Sequence, residues 1–167
     1  DSSFFFPILF FLPFAVKLPI YGFLFWLPMA HVEAPTFGSI ILAGVLLKLG
    51  GVGLIRFSSF INFCELKRYI LGYFFVFLVY VTLVCCLQSD FKRLVAYSSV
   101  SHIITIPIML LASTYVGLKG IVSVMFLHGV RSPLIFILVG VLYLFISTRQ
   151  HFLIRGIICF SPILSFI

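Results

Sequence analysis

Apolar stretches of roughly twenty residues, separated by short groups of proline, glycine and charged residues, follow one another along this chain. An α-helix needs about 20 predominantly apolar residues to cross the hydrocarbon core of a bilayer. The pattern therefore predicts five membrane-spanning helices and the start of a sixth: A over residues 4–27, B over 37–57, C over 69–88, D over 94–112, E over 118–147, and F from residue 152. The expected fold class is all-α, a polytopic bundle of transmembrane helices that occupies residues 1–167 as a single membrane domain.

Prolines mark where this regular picture should bend. Pro7, Pro13 and Pro19 fall inside span A, with Lys17 close to the last of them. Each removes a backbone donor, so a discontinuous helix is expected near Lys17 and Pro19, with freed carbonyls satisfied by a neighbouring helix or by water. Pro28 and Pro35 are expected to stop one helix and set up the next, with Trp26 as an interfacial anchor and Thr36 as the cap of B. Span E is too long for a straight crossing and must tilt, extend beyond the bilayer or be interrupted near Pro133. The cations do not orient the bundle. Arg56, Lys67, Arg68 and Lys119 fall on one side and Lys92, Arg93, Arg149 and Arg155 on the other, in equal number.

Composition supports the membrane assignment and excludes its rivals. With 63% hydrophobic and 9% charged residues and a mean hydropathy of +1.30, the chain has too few polar side chains to cover a soluble domain. The net charge of +7 does not point to nucleic acid, because the eleven Lys and Arg stand singly or in pairs and form no basic block. Lys67, Arg68, Lys92 and Arg93 lie at expected span ends, where such side chains anchor to phosphate headgroups. Cys64, Cys85, Cys86 and Cys159 lack C-x-x-C spacing and read as small hydrophobes. The chain begins at Asp1 and stops within an apolar run, and reads as a segment of a longer polytopic protein.

The apolar pattern does not require ionisable residues at membrane depth, yet Lys17, Lys48, His102, His128 and Arg131 lie there, on four spans. A charge at the bilayer centre costs from about 2.5 to more than 10 kcal/mol. Lys48 is near the middle of span B, flanked by Gly44, Gly50, Gly51 and Gly53, which leave room for a partner helix or water. The plainer alternative is a packing face from which Lys48 snorkels to the surface. Ser98, Ser101, His102 and Thr105 share one face of D. They form either a hydrated stripe or a set of hydroxyls bonded back to the preceding turn. His128, Arg131 and Ser132 share a face of E. A lysine's proton affinity responds strongly to burial and to a nearby carboxylate, so a proton-handling role predicts an acidic partner for Lys17 or Lys48, which spans A and B do not contain. Glu33 and Asp90 sit near the membrane edges. His31 and Glu33, at alternate positions, have no partner motif that would make a metal site.

The segments KLPIYG (17–22), WLP (26–28), AHVEAP (30–35), LLKLGG (46–51), DFKRLVAYSSVSH (90–102) and HG (128–129) occur in order. Together they resemble the subunit 4 family of mitochondrial NADH:ubiquinone oxidoreductase, complex I, over nearly the whole chain. The resemblance implies an antiporter-like fold with discontinuous helices, of which this chain matches the seventh helix to the start of the twelfth. It implies that Lys17, Lys48, His102 and His128 line a hydrated axis for proton transfer in a multi-pass protein of the mitochondrial inner membrane. It further implies that the other membrane subunits of complex I are its partners, that glutamates elsewhere pair with the lysines, and that NADH, flavin, iron–sulfur clusters and ubiquinone are held by other subunits, so that ubiquinone is met only indirectly. No cofactor-binding or metal-ligating residue is expected in this chain. Three positions depart from the family pattern. Leu24 replaces a common histidine, Met29 a common lysine, and Arg131 a small polar residue, which places like charge one turn from His128.

The sequence thus predicts a proton-translocating subunit with no redox chemistry of its own. Two rivals are a subunit of a multisubunit cation/proton antiporter and a structural membrane scaffold.

Overall fold

A computed structural model of the chain describes residues 13, 16–18, 26–58, 67–112, 115–147 and 150. Most of span A and all of span F lie outside them. Helix α1 (Trp26–Glu33) contains Pro28 in its first turn. Proline is tolerated there because the first helical N–H groups have no partner within the helix. Pro28 therefore does not end a helix, contrary to the expectation from sequence.

After Ala34 and Pro35 the chain enters a rod composed of α2 (Thr36–Ile41), a π-helical segment (Leu42–Leu46) and α3 (Leu47–Ser58). Thr36 does not cap it. Pro35 holds the N-cap position with no side-chain hydrogen bond, and Thr36 turns its methyl group toward Gly140. Three long helices follow: α4 (Lys67–Cys86), α5 (Phe91–Ala112) and α6 (Tyr115–Ile146).

Thr36–Arg56, Tyr69–Cys86, Phe91–Ala112 and Val116–Phe145 are each long and apolar enough to cross a membrane. They correspond to spans B to E. The 32-residue α6 continues through Pro133, so its length of about 48 Å against a core of about 30 Å is taken up by tilt or by extension rather than by an interruption.

Helix α5 is the centre of the described bundle, packed between α4 and α6, with α1 also against it. Half of its apolar window is buried, against 17% for α4 and for α6. Leu54, Phe74, Phe77, Val100, Ile103 and Ile121 build the core around it. Outward residues such as Val76, Leu83, Phe126 and Phe145 are exposed, as suits side chains that meet lipid. Small residues let α3 come close to its neighbours: a Cβ on Gly51 would lie 2.9 Å from the Met125 sulfur, and one on Gly50 3.3 Å from the Lys17 Cβ.

Candidate functional site

The π-helical segment ends just before Lys48. Its extra residue in the turn rotates everything after it by about 100° relative to an uninterrupted α-helix, and so sets which neighbour Lys48 meets. The ammonium donates to the Ala43 carbonyl in that same widened turn and lies 3.0 Å from His128 Nδ1 on α6. Lys48 therefore turns into the bundle and does not snorkel. An ammonium offers only donors, so Nδ1 accepts and a neutral His128 carries its proton on Nε2. Gly129 makes the approach possible, since a Cβ there would stand 3.2 Å from Lys48 Cε. One turn further along, Pro133 has no N–H for the Gly129 carbonyl, leaving a second polar group beside the pair without its helical partner.

His102 projects from α5 with its ring centroid 6.2 Å from that of His128, the rings inclined by 58°. Lys48, His128 and His102 thus come from three different spans to one place. Lys17 is exposed and reaches the group only through its stem, packed beside Gly50 two residues after Lys48. Val16 and Lys17 are helical and Leu18 is a turn, the Val16 carbonyl accepts a 3.0 Å hydrogen bond from the Trp26 indole, and Pro19, where the break is expected, lies outside the described residues. Trp26 therefore satisfies a carbonyl two residues before the turn at Leu18.

The two polar stripes differ. On α5 the Ser98, Ser101 and Thr105 hydroxyls donate to the Val95, Ser98 and His102 carbonyls, which is the back-bonded alternative. On α6 His128 and Ser132 are buried, and among the described residues His128 Nε2 and Ser132 Oγ have no hydrogen-bond partner. Arg131 is exposed.

Two residues gain roles that the sequence reading did not give them. His31 is fully buried and stacks on Phe136 of α6 at 4.6 Å between centroids and 11° between planes. Both its ring nitrogens lack a partner among the described residues, while its carbonyl accepts from Ser39 Oγ at 3.2 Å. Burial, with a smaller contribution from the Lys92 ammonium, pushes its pKa down to about 4, so it is neutral at pH 7.

Lys92 is not the headgroup anchor expected from sequence. It is buried, and its ammonium donates to the Val32 carbonyl at 3.3 Å and to the Ala34 carbonyl, at the C-terminal end of α1. A signal was present: a lysine in the first turn of α5 opposes that helix's own dipole, which suits it to carbonyls at another helix's negative end. Arg93 is the exposed member of the pair and meets Asp90 at 3.4 Å, a contact that adds little stability. Glu33, Met29, Pro28, Val32, Arg93 and Tyr97 help line a cavity of about 280 Å³ nearby. Of the three departures, Met29 is exposed at this cavity and Leu24 lies outside the described residues. Among the described residues no group of three His, Cys, Asp or Glu side chains is placed to hold a metal ion.

Residues 2–167 match the family described as NADH:quinone oxidoreductase/Mrp antiporter, TM. The chain belongs to this family. Similar curated proteins include NADH-quinone oxidoreductase subunit M of Rickettsia felis, 40% identical over 160 residues, which cover 93% of this chain and 32% of that protein. Others are NADH-ubiquinone oxidoreductase chain 4 of Aedes aegypti, 41% identical over 91% of this chain and 34% of the relative, and that of Acanthamoeba castellanii, 43% identical over 93% and 32%. The chain spans about a third of the length of these relatives. Family membership agrees with the all-helical, membrane-spanning architecture and with the antiporter-like resemblance of the motifs.

Proposed function

We propose that this chain is the central part of a proton-translocating membrane subunit of NADH:ubiquinone oxidoreductase, carrying protons along Lys17, Lys48, His102 and His128. The observation that carries this reading is the contact between Lys48 and His128 across two apolar spans. A bilayer-embedded charge is costly, and here it is held against a second titratable group by a widened helical turn and a glycine rather than led to the surface. In the transfer step the Lys48 ammonium gives a proton to His128 Nδ1. That leaves a neutral amine and an imidazolium with protons on both ring nitrogens, from which a proton passes toward His102 or into bound water.

The chain supplies the path, and rearrangement elsewhere in the assembly supplies the drive. NADH, flavin, iron–sulfur clusters and ubiquinone belong to other subunits, which are this subunit's partners in the mitochondrial inner membrane. The names of the relatives favour this reading over sodium/proton exchange, which would show as sodium-dependent transport without NADH oxidation.

Lys48→Met in the full-length subunit, assembled in its complex and reconstituted in vesicles, tests the reading. Protons translocated per NADH oxidised should fall about tenfold at equal complex content. A normal ratio would leave only a scaffold role for the polar residues.

A further inference from the structure

We infer that the proton line has a lateral branch from His128 through Ser132 to His31, ending at the cavity beside Glu33. This rests on the proton-transfer reading above and adds a route that Lys17, Lys48, His102 and His128 do not include. His128, Ser132 and Phe136 are four residues apart along α6, one above another on a single face. All three are buried, and the His31 ring lies flat on Phe136 at the end of the row. Four buried polar atoms along it, His128 Nε2, Ser132 Oγ, His31 Nδ1 and His31 Nε2, have no partner among the described residues. Buried polar groups are nearly always hydrogen-bonded, to protein or to ordered water. Each four-residue step along α6 rises about 6 Å, and since none of these polar atoms bonds directly to another among the described residues, one water per step fits the row.

The chemistry at both ends fits a proton path. Because Lys48 occupies Nδ1, the proton that leaves His128 into the row is the one on Nε2. The imidazole is left neutral with its proton on Nδ1, facing the now neutral Lys48 amine, which accepts that N–H until it is recharged. At the far end His31 takes a proton only in passing, since it is buried and the Lys92 ammonium lies close by. Pro28, Met29 and Val32, its neighbours on α1, line the cavity that Glu33 also lines, a carboxylate exposed at the surface. Lys92, tied to the Val32 and Ala34 carbonyls, fixes the α1 end so that this outlet stays next to α5. Ser132 positions the intermediate water, and His31 carries the proton.

The test uses the full-length subunit in its assembled complex, in vesicles with an internal pH dye, and compares His31→Gln, Ser132→Ala, Ser132→Thr and Lys48→Met at matched complex content. His31→Gln and Ser132→Ala should each lower protons translocated per NADH oxidised by twofold or more, while Ser132→Thr, which keeps the hydroxyl, should restore the ratio. A hydroxyl needed only for packing would not give that pattern, because the threonine methyl perturbs packing more than alanine does. Unchanged ratios in His31→Gln and Ser132→Ala, with Lys48→Met impaired, would overturn the branch and keep the main line. Should His31→Gln fail to assemble, the Ser132 pair decides alone. A normal ratio in Lys48→Met would overturn the proton-transfer reading and the branch with it.

Discussion

Helices α5 and α6 carry polar stripes of similar appearance, each with a histidine and serine on one face of an apolar helix, and the fold gives them opposite fates. On α5 the hydroxyls close onto carbonyls of the turn before, so they are satisfied locally and need neither water nor a partner. On α6 the histidine is claimed by a lysine from another helix, and the polar atoms below it are buried with their bonds still to be made. The α5 hydroxyls are therefore structural, and only His102 of that stripe faces the Lys48–His128 pair. The α6 stripe, whose buried polar atoms find no partner among the described residues, is where the proposed path needs water.

The largest expected break in this contrast is His128→Ala. It leaves the Lys48 ammonium half-buried with only the Ala43 carbonyl, and loss of the partner of a buried donor costs about 1–3 kcal/mol. Thermal stability of the assembled complex should fall, and proton translocation per NADH should fall about tenfold; Lys48→Met added to it should recover the stability and not the transport.

An acid-side effect of similar size is expected from His31, at the end of the α6 row. The unfolded chain binds a proton at this side chain below pH 6.5, the folded one only below about 4. Stability is therefore full above pH 6.5 and lost as pH falls through that window, by about 3 kcal/mol in total. Denaturation of the wild type and of His31→Gln between pH 7 and 4 checks this: the variant should show a correspondingly weaker dependence.

Gly129→Ala is a gentler probe. A methyl group 3.2 Å from Lys48 Cε must push the ammonium away from His128 by a few tenths of an ångström, so transport should fall severalfold with assembly preserved, as read by the same vesicle assay. The smallest effect belongs to α5. Ser98→Ala and Ser101→Ala remove bonds confined to one turn and should change stability by less than about 0.5 kcal/mol, with transport unaltered.

The sequence carried spans B to E because length and hydropathy decide membrane crossing almost alone. It also marked Lys48, His102 and His128, which the fold brings together, because ionisable groups in an apolar run are conspicuous. The π-helical turn below Lys48 was not visible, since nothing in LAGVL (42–46) distinguishes an extra residue in a turn from an ordinary one. Nor was the difference between the two stripes, which lies in burial and partners rather than in spacing. Lys92 was misread because a lysine at a span end usually meets headgroups, and only the approach of α1 to α5 turns it inward. His31 shows no local signal for its place, which comes from Phe136, more than a hundred residues away in sequence.

The most direct test of the Lys48–His128 contact is nitrogen-15 magnetic resonance of histidine-labelled complex, with the His128 signals assigned by their loss in His128→Gln. The geometry predicts an unprotonated Nδ1 that accepts a hydrogen bond, a protonated Nε2, and a clear change at Nδ1 when Lys48 is replaced by methionine. A protonated Nδ1 at neutral pH, or a signal indifferent to Lys48→Met, would contradict the pairing on which the proposed proton transfer depends.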